Sequence, residues 1–125
     1  MTKLAYLIAQ EEGFFRSGSL PQRRHNPGDL RHGPHCSHKG IDPNAIGVEP
    51  CDEAGWEDLE RQLHLEAERG KTLRSFVWTY APPLENNPSQ YLNFLTRGLN
   101  MDADTLLKEV LKLKHIPESK LNDKS

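Results

Sequence analysis

The chain has 125 residues and a formal net charge of −2, and hydrophobic residues make up 35% of it. This length is typical of one domain with a single core, which we place at residues 1–116, followed by a frayed tail at 117–125. The acidic balance argues against nucleic-acid binding, because phosphate contacts require a basic surface. No apolar run reaches the roughly 18 residues of a membrane helix. We therefore expect a monomer that engages neither nucleic acid nor membrane.

The first fifteen residues are not typical of a secretory signal. A short apolar run, Leu4 to Ala9, is followed by Gln10 and two glutamates without a small-residue cleavage site. We expect no signal peptide and synthesis in the cytoplasm, so that another compartment would be reached by leakage, lysis or a dedicated exporter.

A first helix is predicted from its cap, its apolar stripe and its stop. Thr2 is a suitable N-cap, and Gly13 is a suitable stop after Glu12. The stripe follows helical spacing and ends in a carboxylate: Leu4, Leu7, Ile8 and Glu11. On a helical wheel both Glu11 and Glu12 lie beside this apolar face, so spacing does not separate them.

Residues 16–52 show no period and hold five prolines, five glycines and four of the six histidines. Irregular stretches of this length in a small domain are usually functional or disordered. Asn26-Pro27-Gly28-Asp29 predicts a turn with Pro at i+1 and Gly at i+2. Extended pieces at Asp29–Arg31 and Ile46–Glu49 leave room for a small β-hairpin.

From Asp52 onward the pattern is helical. Asn87 followed by Pro88 is a strong start signal. We predict four helices: Asp52–Gly70 with Asp52 as its cap, Thr72–Tyr80, Asn87–Gly98, and a last one from 102–104 to about 113. The fold class is therefore mainly α, with one long irregular loop between the first and second helices.

Four stretches, taken in order, resemble the small lysozyme-like and lytic-transglycosylase-like domains of phage particles and bacteria. They are EEGF (11–14), SGSLPQRRHNPGDLR (17–31), DEAGWEDLERQL (52–63) and YAPPLENNPSQYL (80–92). The resemblance implies a lysozyme-like fold that cleaves the glycan strands of peptidoglycan without a cofactor. It also implies action at the cell wall or periplasm, after lysis or export.

The resemblance also assigns residues. It makes Glu12, immediately before Gly-Phe, the general acid. It places substrate contacts on the Asn-Pro-Gly turn and on the Tyr-x-Pro block: Asn26, Tyr80, Glu85, Asn86 and Tyr91. The chain carries Glu11 where such domains often have a small or apolar residue, and we interpret Glu11 as a structural or salt-bridging acid.

The chemistry supports a glutamate in this place. A glycosidic bond breaks when the leaving oxygen is protonated, and apolar surroundings raise the pKa of a carboxyl group that must donate near neutral pH. The end of the apolar stripe, followed by Phe14 and Phe15, offers such surroundings. Glycosidases with two carboxylates need a second acid, for which the candidates are Asp29, Asp42, Glu49 and Asp52. A single-acid lytic transglycosylase is equally compatible with the sequence.

A second group of chemically active residues lies in RHGPHCSH (31–38). His32, His35, Cys36 and His38 are all zinc-capable ligand types, but their spacing matches no standard zinc motif. We predict no metal site here. Cys36 and Cys51 either form a disulfide or remain two free thiols.

Two rival functions remain open from sequence. The same fold would serve as a non-catalytic module that binds glycan or has a structural role. Alternatively, the His/Cys loop would organise a metal-stabilised interaction domain.

Overall fold

The computed structural model describes residues 1–80 and 87–117, and this part of the chain is mainly helical. Its helices, in chain order, are α1 (Lys3–Glu12), α2 (Leu20–Arg23), α3 (Asp52–Glu68), α4 (Leu73–Tyr80), α5 (Pro88–Leu99) and α6 (Leu107–Val110). Extended segments within these ranges meet only at isolated bridges. No described helix has the length and apolar character needed to cross a membrane.

The first helix forms as predicted. The Thr2 hydroxyl oxygen accepts a hydrogen bond from Ala5 N at 3.2 Å, and Gly13 ends the helix in the left-handed region with φ 85°. Its apolar stripe is buried against α5 and α3. Glu12 is the last residue of this helix and is half-buried, so it lies at the edge of the core.

The core joins the faces of four helices to the C-terminal turn. Its fully buried members include Leu4, Ile8, Leu59, Leu63, Leu73, Phe76, Leu95, Leu107 and Val110. Thr72 caps α4 by accepting a hydrogen bond from Ser75 N at 3.1 Å, and Asn87 caps α5 by accepting one from Gln90 N, also at 3.1 Å. Both predicted starts are confirmed.

The start of α3 differs from the prediction. Cys51 occupies the N-cap position without a side-chain cap bond, and Asp52 is the first helical residue. The carboxylate of Asp52 accepts from the His25 ring at 2.7 Å instead of capping the helix. It lies in the first turn, where a negative charge is favourable to the helix dipole.

The end of α5 also differs. Gly98 does not stop the helix, which continues to Leu99 and ends at Asn100 with φ 54°. Packing requires a glycine at position 98, because a Cβ there would lie 2.8 Å from Leu7 Cδ1. The glycine marks the close approach of α1 and α5.

The predicted last helix is much shorter than expected. The Asp102 side chain accepts a hydrogen bond from Asp104 N at 2.8 Å, and its carbonyl accepts from Thr105 N at 3.1 Å. This turn competes with helical hydrogen bonding, so only Leu107–Val110 is helical.

The long loop between α1 and α3 contains α2 and is held together by Asn26. The Asn26 amide donates to Leu30 O at 2.8 Å and to Gly47 O at 3.0 Å, while its oxygen accepts from Leu30 N at 2.9 Å. Asp29–Arg31 does not form the expected extended piece, since Asp29 has φ 53°, and Ile46–Glu49 contributes one antiparallel bridge, from Val48 to Ser37. The loop is ordered by a buried side chain rather than by a sheet.

Candidate functional site

A cleft of about 500 Å³ opens between the long loop, the end of α1, and helices α3 and α4. It is lined by Glu12, Gly28, Asp29, Leu30, Arg31, His32, Ile46, Gln62, Thr79 and Tyr80. All four stretches that carry the lysozyme resemblance thus contribute residues to one cavity, and Gln62 is the contribution of the stretch on α3.

Glu12 is half-buried in this cleft and accepts a hydrogen bond from a core tyrosine. The hydroxyl of Tyr91 donates to Glu12 Oε2 at 2.7 Å. Asp29 lines the same cleft, and burial raises the pKa of its carboxyl group. Glu12 is thus a held carboxyl group at the cleft wall.

Glu11 has a different environment, although it is the adjacent residue. It is exposed and is not among the residues that line the cleft. Partial burial, and secondly the charge of Glu12, raise the pKa of Glu11. The structure therefore separates the two acids by position, which helical spacing does not do.

Tyr80 closes the cleft from α4. Its hydroxyl donates to the carbonyl oxygen of Gly28. Burial, followed by the charges of Glu12 and Asp29, raises its pKa well above the ordinary tyrosine value. Tyr80 is consequently a neutral hydroxyl at any physiological pH.

Two glycines allow the loop and helices to approach one another around the cleft. A Cβ on Gly28 would lie 2.7 Å from both Leu59 Cδ1 and the Tyr80 hydroxyl. A Cβ on Gly55, in α3, would overlap the backbone carbonyl of His25. The glycines of the Asn-Pro-Gly and Gly-Trp motifs therefore leave room for the loop to lie directly on α3 and α4.

The predicted substrate residues are placed unequally. Tyr80 lines the cleft, whereas Asn26 and Tyr91 are 0% and 2% exposed. The amide of Asn26 bonds the loop backbone, and the hydroxyl of Tyr91 bonds the acid. Asn26 and Tyr91 therefore hold the loop and the acid in place from the protein interior and do not present their side chains to a ligand. Glu85 and Asn86 lie outside the described residues.

Of the four candidate second carboxylates, the cleft contains Asp29. Asp42 is exposed in the loop, Asp52 is paired with His25, and Glu49 is 1% exposed in the interior. Burial and the neighbouring Asp58 raise the pKa of Glu49 to about 8. Glu49 is a structural acid of the loop and not a cleft residue.

The histidines and cysteines of the loop are engaged in local contacts. His35 N donates to Asp58 Oδ2 at 3.0 Å, and the His38 ring contacts Ala45 O at 2.8 Å. Cys36 and Cys51 are free thiols, and burial raises the pKa of the Cys36 thiol, which opposes a nucleophilic role. Among residues 1–80 and 87–117, no group of three or more His, Cys, Asp or Glu side chains is arranged to hold a metal ion.

Sequence reasoning missed two polar members of the cleft: Gln62 and Thr79. Gln62 precedes the core residue Leu63 on α3, and Thr79 precedes Tyr80 on α4. Helical periodicity identifies the residues that face the core. It does not distinguish a polar neighbour that borders a cleft from one that faces solvent.

The cleft brings two carboxyl groups, a guanidinium, an amide and hydroxyl groups to one cavity: Glu12, Asp29, Arg31, Gln62, Thr79 and Tyr80. Carboxyl groups are among the side chains that serve as general acids and bases. In comparisons with known proteins, no family model, curated protein or solved structure matches this chain.

Proposed function

We propose that this protein is a lysozyme-like enzyme that cleaves the glycan strands of peptidoglycan, with Glu12 as its general acid. The observation that carries the proposal is the position of Glu12 at the end of an apolar helix. There it lines a cleft and is held by Tyr91. The resemblance of the four stretches supplies the substrate class. We further propose that the enzyme acts at the cell wall or periplasm after lysis or export.

The proposed reaction begins with proton transfer. Glu12 donates a proton to the glycosidic oxygen while the bond from that oxygen to the anomeric carbon breaks. Water or a hydroxyl group of the same sugar then attacks the anomeric carbon and passes its proton to the Glu12 carboxylate, which restores the acid. The first route is hydrolysis, and the second is lytic transglycosylation.

The other residues of the cleft suit a sugar substrate. Gln62 and Thr79 offer hydrogen-bonding groups to sugar hydroxyls, and Arg31 offers positive charge to the acidic groups of the wall polymer. The Tyr80 hydroxyl donates to Gly28 and can still accept a hydrogen bond. The cleft is lined mainly by such polar groups, as an oligosaccharide requires.

The test is the loss of turbidity of purified bacterial cell walls. Wild type is expected to clear the walls, and Glu12→Gln is expected to slow clearing at least 100-fold, because removal of a general acid costs about 10²–10⁴ in rate. Glu11→Gln is the matched control, since it makes the same change one residue away and outside the cleft. Equal clearing by Glu12→Gln, or loss with Glu11→Gln alone, would overturn the assignment. Wall binding without clearing by wild type would instead favour a glycan-binding module.

A further inference from the structure

Two polar residues that line the cleft are tied to the same ion pair. Gln62 of α3 donates from Nε2 to Glu66 Oε1 at 3.1 Å. The ammonium of Lys71 forms an ion pair with Glu66 Oε2 and donates to Thr79 Oγ1 of α4 at 3.2 Å. Glu66 and Lys71 are not among the residues that line the cleft. A continuous chain of polar contacts therefore runs behind the cleft, from one lining residue to the other.

The ion pair is a firm support for these two residues. Glu66 is 5% exposed, and Arg69 also donates to its Oε1. The side chain of Lys71 is 20% exposed. Disturbing a buried ion pair is costly, because the loss of one partner leaves an uncompensated charge. The positions of Gln62 and Thr79 are therefore set from within the protein.

The contact with Glu66 determines which way the Gln62 amide faces. A carboxylate only accepts hydrogen bonds, so the amide must present its nitrogen, and not its oxygen, to Glu66. A flipped amide would place two oxygens against each other. The oxygen is the other branch of the planar amide, and it is the acceptor that Gln62 can offer to the cleft.

The hydroxyl groups of α4 are committed in a similar way. The Lys71 ammonium only donates, so Thr79 Oγ1 accepts from it. Thr79 gives its hydroxyl hydrogen to Ser75 O at 2.9 Å, and Tyr80 gives its own to Gly28 O. A hydroxyl group has one hydrogen and two lone pairs. Both hydroxyl groups can therefore still accept a hydrogen bond, but their hydrogens are already used.

We propose that Gln62, Thr79 and Tyr80 form an acceptor wall of the cleft, which the ion pair of Glu66 and Lys71 holds in place and which binds hydroxyl or amide N–H groups of the glycan. The choice of ligand rests on the proposed function. Glu66 and Lys71 are positioning residues, because they act on the ligand through Gln62 and Thr79. The wall disfavours a ligand group that cannot donate, because its own acceptors are then left unpaired.

Binding of a soluble oligosaccharide of N-acetylglucosamine tests the wall apart from catalysis. The protein is Glu12→Gln, in which the proposed acid is absent, and affinity is measured by calorimetric titration. The parent oligosaccharide is compared with analogues in which one hydroxyl group is replaced by hydrogen or by fluorine. Fluorine is close to a hydroxyl group in size but cannot donate. For at least one hydroxyl group, both analogues are expected to bind roughly threefold to tenfold more weakly, because each removes one hydrogen bond.

This comparison can overturn the proposal even if no further variant folds. Fluorine that restores the affinity lost with hydrogen would show that the wall donates and does not accept. Equal affinity of all analogues would show that no ligand donor meets the wall. Failure of the parent oligosaccharide to bind would contradict the proposal as well.

Variants in the same Glu12→Gln protein assign the effect to the wall. In Thr79→Val, and separately in Lys71→Met, the parent is expected to bind roughly threefold to tenfold more weakly, and the penalty of the analogues should disappear for the hydroxyl group that meets Thr79. Lys71→Arg should restore both, because a guanidinium can donate to Glu66 and Thr79 together. Lys112→Met makes the same change in the exposed ion pair with Glu109 and is the control, which should alter neither.

The inference and the proposed function can fail separately. Analogue penalties that are unchanged in Thr79→Val would overturn the acceptor wall, while wall clearing by wild type would keep the proposed function. Penalties that disappear in Thr79→Val, together with no wall clearing by wild type, would support the acceptor wall and contradict the enzyme.

Discussion

At the scale of single residues, the site depends on a contact between distant parts of the chain. Glu12 at the end of α1 accepts a hydrogen bond from Tyr91, which lies 79 positions later on α5. Tyr91 is 2% exposed, so its ring is part of the core while its hydroxyl reaches the cleft wall. One side chain therefore links the packing of the core to the orientation of the acid.

Tyr91→Phe removes this hydroxyl and keeps the ring. Wall clearing is expected to fall roughly tenfold, which corresponds to about 1.4 kcal/mol of lost transition-state stabilisation, because Glu12 loses the donor that orients it. Tyr6→Phe is the control, since Tyr6 makes ring contacts with Phe15 and His115 away from the cleft. The measurement is the initial clearing rate, with thermal unfolding to show that both variants are folded. Equal rates in the two variants would contradict an orienting role for Tyr91.

Sequence reasoning reached part of this residue-level picture. The Gly-Phe that follows Glu12 led to a carboxyl group that lines the cleft, and the tyrosines and Asn26 were singled out as substrate contacts. Sequence could not predict which of these residues would be exposed in the cleft. The exposure of a polar or aromatic side chain depends on which other helices and loops cover it. Asn26 and Tyr91 are polar side chains whose partners lie in the protein itself.

At the scale of elements, α3 and the long loop form one unit through a close backbone contact. Gly55 is the first-turn residue of α3 that faces the loop, and a Cβ on it would overlap His25 O and approach Pro27 Cδ within 2.8 Å. The same loop carries Gly28, which packs against Leu59 of α3. The cleft wall is therefore set by how closely α3 approaches the loop.

Gly55→Ala is expected to destabilise the fold by about 2 kcal/mol or more, because the added methyl group meets backbone and not a flexible side chain. Helix propensity alone would favour Ala over Gly by about 1 kcal/mol. The sign of the change in the free energy of unfolding therefore shows whether the steric clash or the helix propensity dominates. Glu68→Ala, at the exposed end of the same helix, is the control and should change stability little. Denaturant unfolding measures both; a stabilised Gly55→Ala protein would show that the loop does not lie on α3 as described.

Two helix starts were predictable from sequence, whereas the roles of Asp52 and Gly98 were not. Local signals such as the Thr2 cap and the Asn87-Pro88 start act within one turn, so sequence alone locates them. Gly98 looked like a stop but serves the contact with Leu7, and Asp52 looked like a cap but pairs with His25. In both cases a tertiary neighbour determines what the residue does, and sequence does not identify that neighbour.

At the scale of the whole molecule, a buried acid links stability to pH. Glu49 belongs to the loop and lies beside Asp58 of α3, with a pKa of about 8 against an ordinary 4.5. Between these two values the folded state binds a proton that the unfolded state has released. Stability is therefore highest at the acidic side of this window and falls as pH rises through it.

We expect the free energy of unfolding to fall by at most about 1.4 kcal/mol per pH unit from this one group, between about pH 5 and pH 8. Glu49→Gln should flatten the dependence, because the amide can donate to Asp58 at every pH. Burial also raises the pKa values of Asp29 and Glu11, which act in the same direction, so the comparison is made between variant and wild type. Glu57→Gln, an exposed change on α3, is the control. Parallel profiles for wild type and Glu49→Gln would contradict a protonated Glu49.

Our proposal that the protein breaks glycosidic bonds with Glu12 as the acid can be tested on the products of the reaction. The most direct measurement is mass spectrometry of the fragments released from purified peptidoglycan. Wild type is predicted to release disaccharide-containing fragments with new glycan ends, and Glu12→Gln to release almost none. The mass of the new ends, which differs by one water between anhydro and reducing forms, identifies the attacking hydroxyl. Fragments released equally by wild type and Glu12→Gln, or by neither, would contradict a role for Glu12 as the acid of a glycan-cleaving enzyme.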